Sequence, residues 1–198
     1  DVYKRQRVNL LIDIQERMRQ GKGPAYERWA KVYNLKQMAA ALQYLKEHQL
    51  FEYDDLAAKT DAATELFHTL AGDIQQTEVE LSRVSDLMAA VVQYAKTRPA
   101  FDGYKAAKYS RKYLAEHEAV LADYRAAKAT MAELLGGEKL PKMDVLKEKR
   151  RQLAARKKAL YLEYRKAQQD MRELVAVKGS VDHLRGLTDN QRNKEQAR

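Results

Sequence analysis

Cysteine is absent from the 198 residues, which excludes disulfides and thiolate metal sites and favours a reducing cytoplasm. The sequence has only three prolines and eight glycines, while 33% of its residues are charged, as is typical of long helices. It contains no run of eighteen apolar residues and no signal-peptide pattern, so we expect no membrane insertion. Because the chain begins at Asp1, without Met and within a helical pattern, we expect a piece of a longer protein.

A heptad seam between residues 60 and 95 organises the chain. Of its ten positions only Thr77 is polar; they are Ala63, Phe67, Leu70, Ile74, Thr77, Leu81, Val84, Met88, Val91 and Ala95. This spacing predicts a helix from near Asp54 to near Thr97, ended by Pro99 and roughly 65 Å long at about 1.5 Å per residue. Such a helix needs partner helices to bury its apolar stripe.

Residues 1–53 are predicted to form a smaller N-terminal helical group. A helix over 2–20 is stopped at Gly21. Pro24 begins a short helix that directs four side chains toward a core, namely Tyr26, Trp29, Ala30 and Tyr33. A further helix is expected from Leu35 to about His48.

Residues 54–185 are predicted to form a long-helix bundle. After Pro99 we expect a short helical piece interrupted by Gly103. A second heptad seam then follows a Ser110 N-cap and ends at Gly136-Gly137. Pro141 opens the last long helix, and the polar residues 186–198 are predicted to be a disordered tail.

The sequence therefore predicts an all-α fold of long antiparallel helices with coiled-coil-like packing, preceded by the N-terminal group.

Catalytic and metal-binding patterns are missing. The four histidines do not stand at metal-ligand spacing; they are His48, His68, His117 and His183. There is no phosphate-binding Gly-rich loop and no Ser/His/Asp arrangement. We therefore expect no catalytic residue, no metal and no cofactor in this chain.

Charge is unevenly distributed along the chain, whose net charge is +9. Residues 54–97 carry three Lys/Arg against eight Asp/Glu, whereas 141–185 carry thirteen against six. Part of the basic charge of the last helix can therefore be neutralised by the long acidic helix, and part must face outward.

Four cations of the last helix recur at heptad position b, which points away from the seam; they are Arg151, Lys158, Arg165 and Arg172. We call this set the basic ladder. Successive members are about 10.5 Å apart, a spacing suited to DNA phosphates and equally compatible with an ordinary solvated face. Lys149 and Arg156 fall at g, beside the seam, where they are positioned to pair with acidic residues of the long helix such as Asp73, Glu78 and Glu80.

A second basic region, the tyrosine corner, interleaves cations with aromatic side chains. Its candidate DNA-binding residues are Lys105, Lys108, Tyr109, Arg111 and Lys112, flanked by Tyr104 and Tyr113. Such a surface can grip a phosphate backbone or stack on exposed bases. In the alternative interpretation the tyrosines pack the corner and the cations are solvated.

Four stretches cover most of the chain and carry a family resemblance. They read "RVNLLIDIQERMRQGKGPAYERWAKVYNLKQMA", "TELFHTLAGDI", "YAKTRPAFDGYKAAKYSRKYLAEHE" and "LPKMDVLKEKRRQLAARKKALYLEYRKAQQDMREL". Over roughly residues 3–185 the chain resembles the region after the nuclease domain in relaxases of bacterial conjugative and mobilisable elements. Relaxases nick DNA at the transfer origin with a tyrosine and a histidine-bound metal. None of that machinery matches here.

The resemblance implies a non-catalytic C-terminal part of a DNA-nicking protein, located in the bacterial cytoplasm and exported with the transferred strand as part of the longer protein. DNA and transfer-complex proteins such as a coupling protein are the implied partners. Two functions stay open. One is DNA binding through the outward basic face, and the other is docking or oligomerisation through an uncovered apolar seam.

Overall fold

The computed structural model describes residues 10–32 and 35–197, which form seven helices and no strand. The helices are α1 (Leu10–Gln20), α2 (Pro24–Val32), α3 (Leu35–Glu47), α4 (Tyr53–Ala106), α5 (Arg111–Glu116), α6 (Glu118–Leu135) and α7 (Met143–Gln196). The predicted all-α fold is confirmed, with α4 packed against α6 and α7 and smaller helices before it. None of the described helices combines the length and apolarity that a bilayer crossing requires.

The N-terminal group contains the three predicted helices. Its first helix is described from Leu10 onward, so the predicted start near residue 2 lies outside the described residues, as do Tyr33 and the side chain of Trp29. Tyr26 and Ala30 of α2 pack at the edge of the core, as expected from their spacing.

The chain divides into two compact units. The first contains the described residues up to Leu70 together with the chain from Glu163 onward, and the second contains Ala71–Leu162. The division differs from the predicted boundaries after 53 and 185, because α4 and α7 each contribute to both units.

The first unit has its core among α1, α3, the start of α4 and the second half of α7. Ile14, Leu45 and Leu56 are fully buried and meet Leu174 and Val181 of α7. On the same pair of long helices, the Phe67 and Tyr164 rings stack with centroids 4.9 Å apart.

The second unit has its core among α4, α6 and the first half of α7. Val84, Leu87 and Met88 of α4 pack with Leu146 and Leu153 of α7, and Met131 and Leu134 of α6 complete the cluster. Thr77, the polar exception in the seam, is 1% exposed. Its hydroxyl donates to the Asp73 carbonyl at 2.7 Å, which satisfies the buried polar group.

The predicted helix end at Pro99 is wrong, since α4 runs through Pro99 to Ala106. Proline removes one helical hydrogen bond and crowds the preceding turn, but tertiary packing compensates here. The Tyr124 ring of α6 stacks on Tyr94, before the proline, and on Phe101, after it, with centroid distances of 5.2 and 4.4 Å. One aromatic side chain thus holds both sides of the proline in a single helix.

The second seam, predicted as one continuous helix, is broken at His117 into α5 and α6. The His117 ring stacks on Tyr113 at 4.0 Å, and its Nδ1 lies 3.0 Å from the Tyr113 carbonyl. Val120, which the heptad spacing places in this seam, is 39% exposed, and Leu121 is buried in its place, whereas the later seam residues Tyr124 and Ala127 are buried as predicted. Ser110 precedes α5 as expected, although its side chain makes no capping hydrogen bond, and Gly136 is the left-handed C-cap of α6.

The last helix differs from its prediction at both ends. It begins at Met143, two residues after Pro141, and the predicted disordered tail is helical as far as Gln196. A tertiary contact supports this extension, because Arg17 of α1 pairs with Asp189, within the predicted tail, at 2.8 Å.

Candidate nucleic-acid interface

The tyrosine corner lies where α4 ends and α5 begins. Lys108 and Tyr109 have φ angles of 53° and 60°, so two successive residues other than glycine adopt the left-handed conformation. This conformation is costly for residues with a Cβ and is retained where the surroundings impose it, often at functional sites. Here it places the Tyr109 ring 55% exposed at the turn, edge-on to Tyr104 at 5.2 Å.

Gly103 and Tyr113 hold the corner together. The Tyr113 hydroxyl donates to the Ala100 carbonyl at 3.0 Å, across the last turns of α4. A Cβ at position 103 would lie 2.3 Å from that hydroxyl oxygen, so the close approach requires glycine. Sequence reasoning treated Gly103 as a helix interruption and missed this role, since the Tyr113 contact is long-range.

We expect Gly103→Ala to destabilise the corner, although alanine is the better helix former by about 1 kcal/mol. The added methyl group must displace Tyr113 and break its hydrogen bond to Ala100. Amide hydrogen exchange across residues 100–117 checks this and should become faster. Gly72→Ala is the matched control, because Gly72 lies in the same helix with open space around it. A Gly103→Ala variant with slower exchange than the parent would contradict the assigned contact.

The predicted cations of the tyrosine corner are all exposed; they are Lys105, Lys108, Arg111 and Lys112. Lys112 lies 4.0 Å from Glu116, and the described residues offer the other three no ion pair. Tyr104 and Tyr113 are half-buried in the corner, as the packing alternative requires, whereas Tyr109 faces solvent. The corner therefore presents four cations around one exposed ring.

Two members of the basic ladder, Arg151 and Lys158, lie on α7 in the second unit, and both are exposed. Arg151 pairs with Glu148 of its own helix at 2.7 Å. Within the described part of the chain Lys158 has no ion pair.

The predicted pairing of Lys149 and Arg156 with the long helix is not found among the described residues. Lys157, which the heptad spacing of the last helix places at the core-facing a position, pairs with Glu78 instead, with Nζ 3.0 Å from Oε1. The Tyr161 hydroxyl donates to the same carboxylate at 3.2 Å. A seam position of α7 thus places a cation opposite the acidic helix α4, and Lys149 and Arg156 stay exposed.

We expect Lys157→Met to raise the pKa of Glu78. In the parent, the hydrogen bond from Lys157 and then that from Tyr161 lower this pKa below its ordinary value. A lowered folded-state pKa stabilises the fold above the unfolded-state pKa, and this contribution is lost as pH falls through the folded-state pKa. Carboxyl ¹³C NMR titration of Glu78 measures the change, with Lys158→Met as the matched control. An unchanged Glu78 pKa would show that the pair does not persist in solution.

The other two ladder members, Arg165 and Arg172, lie on α7 in the first unit. Both are exposed, and neither has an ion pair with any residue that the structure describes.

The structure separates the tyrosine corner from the ladder members of the same unit. Because Lys157 lies opposite Glu78 and the helices are antiparallel, Arg151 lies near the level of Arg83 on α4. Lys105 is about 22 residues farther along α4, roughly 33 Å at 1.5 Å per residue. The two basic surfaces of the second unit are therefore distinct contact regions.

No group of three or more His, Asp or Glu side chains suited to a metal ion occurs in the described ranges 10–32 and 35–197. Comparisons with protein-family models, curated proteins and solved structures find no match for the chain.

Proposed function

We propose that this chain is a non-catalytic, DNA-binding helical part of a relaxase-like mobilisation protein, which holds DNA non-specifically or near a transfer origin in the bacterial cytoplasm. The relaxase origin rests on the resemblance of the four quoted stretches. DNA binding rests on the exposed cations of α7 and of the tyrosine corner.

One observation carries the DNA-binding proposal. The α7 segment 143–162 has seven Lys/Arg against two Asp/Glu, which leaves a net charge of +5. Among the described residues, only Lys157 and Arg151 of this segment form ion pairs with carboxylates. The remaining cations face solvent, where each phosphate contact releases a condensed counterion and so strengthens binding at low salt.

The tyrosine corner supports a second kind of contact. Tyr109 is held outward among four cations, an arrangement suited to stacking on an unpaired base while lysines meet the flanking phosphates. The tyrosine corner lies roughly 33 Å along α4 from the level at which Arg151 of α7 packs. We therefore infer that the corner and the ladder members Arg151 and Lys158 bind separate stretches of nucleic acid. Duplex phosphates fit the ladder, and a single strand fits the corner.

Fluorescence anisotropy tests the proposal with labelled random duplex and single-stranded oligonucleotides at about 50 mM salt. We expect both to bind, and we expect Tyr109→Ala to weaken single-strand binding more than duplex binding. Tyr161→Ala is the matched control, because Tyr161 is 37% exposed and lies outside the corner. A chain with affinity for neither oligonucleotide would overturn the proposal in favour of the docking module.

A further inference from the structure

A groove between α4 and α6 in the second unit is not accounted for by DNA binding. It has a volume of about 700 Å³ and a floor of small side chains, chiefly Ala89, Ala90, Ala126 and Ala127. Asp86, Asp123 and Glu133 stand along it, all exposed. Among the described residues these three carboxylates have no ion pair, so the groove is an open, acidic slot between two helices with a floor of small side chains.

The groove lies on the side of α4 opposite to α7. Val84 and Met88 face the core shared with α7. Asp86 and Gln93 are rotated by roughly 180° from that direction at 100° per residue. In this unit α7 therefore covers one side of the α4–α6 pair, and the other side is uncovered.

The outer face of α7 in the same unit has the complementary chemistry. Lys147, Arg151 and Lys158 fall on one stripe with Ala154 between them, within about 60° of each other on the helix. All four are exposed, whereas Leu146 and Leu153 point to the core. This stripe offers three exposed cations, of which Arg151 also pairs with Glu148 of its own helix. The small Ala154 between them permits close approach of another helix.

The spacings of the two surfaces agree. Asp123 and Glu133 are ten residues apart on α6, roughly 15 Å, and Lys147 and Lys158 are eleven residues apart on α7, roughly 16.5 Å. Arg83 donates to the Leu134 carbonyl at 2.7 Å, which places Asp86 near the Glu133 end of the groove. A helix bearing the α7 stripe can therefore set a cation at each end of the groove over its alanine floor.

We propose that the groove receives the α7 stripe of a second copy of this chain. Because the groove and the stripe are two different surfaces of the unit, the contact is head-to-tail, and each copy keeps one groove and one stripe free for further copies. Self-association should then continue beyond a dimer and weaken with salt. The inference does not rest on the relaxase resemblance, but Arg151 and Lys158 belong to both the stripe and the basic ladder, so DNA and a second copy would compete for them.

Sedimentation velocity of the full chain tests this over a concentration series at about 50 mM and about 500 mM salt. We expect species larger than a dimer at low salt and a monomer at high salt. The groove variant D86K/D123K/E133K and the stripe variant K147E/R151E/K158E should each be monomeric, with circular dichroism matching the parent. Because all six side chains are exposed, neither set removes core packing.

Mixing the two variants gives the decisive result, since the reversed groove of one then meets the reversed stripe of the other. Large species should reappear in the mixture. The matched control D61K/E65K/E138K makes the same charge change at exposed carboxylates outside the groove and should associate like the parent. A monomeric parent at low salt, or a mixture that stays monomeric, would overturn the proposal.

The groove variant keeps every cation of the ladder and corner. Retained DNA binding by this variant would therefore separate the self-association proposal from the proposed function.

Discussion

Reversing the basic ladder is expected to reduce duplex affinity by roughly 1,000-fold at 0.1 M salt. Each phosphate contact changes log affinity by about 0.9 per tenfold change in salt, so four contacts account for about 3.6 log units between 0.1 and 1 M. The variant is R151E/K158E/R165E/R172E, and random-duplex anisotropy is the measurement. Since all four side chains are exposed, helicity and melting temperature should stay close to those of the parent.

A charge-matched control separates a located interface from a general effect of net charge. K46E/K59E/K96E/K128E reverses four exposed lysines outside both proposed basic surfaces. It lowers the net charge by the same amount and should retain most of the duplex affinity. If the ladder variant and this control bind duplex DNA equally well, the ladder is only a solvated face, and docking to a protein partner becomes the better-supported function.

Leu45→Ala is expected to cost about 2–5 kcal/mol of unfolding free energy, the range for fully buried leucines that leave a cavity. Leu45 is 0% exposed and lies in the cluster where α3 meets Leu56, Leu174 and Val181. Urea denaturation followed by circular dichroism measures the loss.

Leu66→Ala is the matched control for this prediction. The side chain is 53% exposed on α4 in the same unit, so the identical truncation should change stability by at most about 0.5 kcal/mol. Equal losses at the two positions would contradict the assigned core.

The heptad pattern predicted much of the fold because burial repeats with the period of the helix. Ile74, Val84 and Met88 were placed in the seam by spacing alone, and all are buried. The pattern could not predict that α4 passes through Pro99, since the support comes from Tyr124, more than twenty residues later. Local proline chemistry was outweighed by a long-range aromatic stack.

The exposure of the basic side chains in the candidate site could be predicted from the sequence, whereas their ion-pair partners could not. All four ladder residues are exposed, as heptad position b requires. Which basic side chain meets the acidic helix depends on side-chain reach and register, so Lys157 and not Lys149 contacts Glu78. The left-handed turn at Tyr109 had no sequence signal, because neither Lys108 nor Tyr109 is a residue that favours it.

The salt dependence of duplex binding, measured for the parent and the ladder variant side by side, tests the central claim most directly. Four ladder contacts predict that the slope of log affinity against log salt is steeper in the parent by roughly 3 to 4. The charge-matched control should keep the slope of the parent. Equal slopes for the parent and the ladder variant would contradict the assignment of α7 as the DNA-binding face.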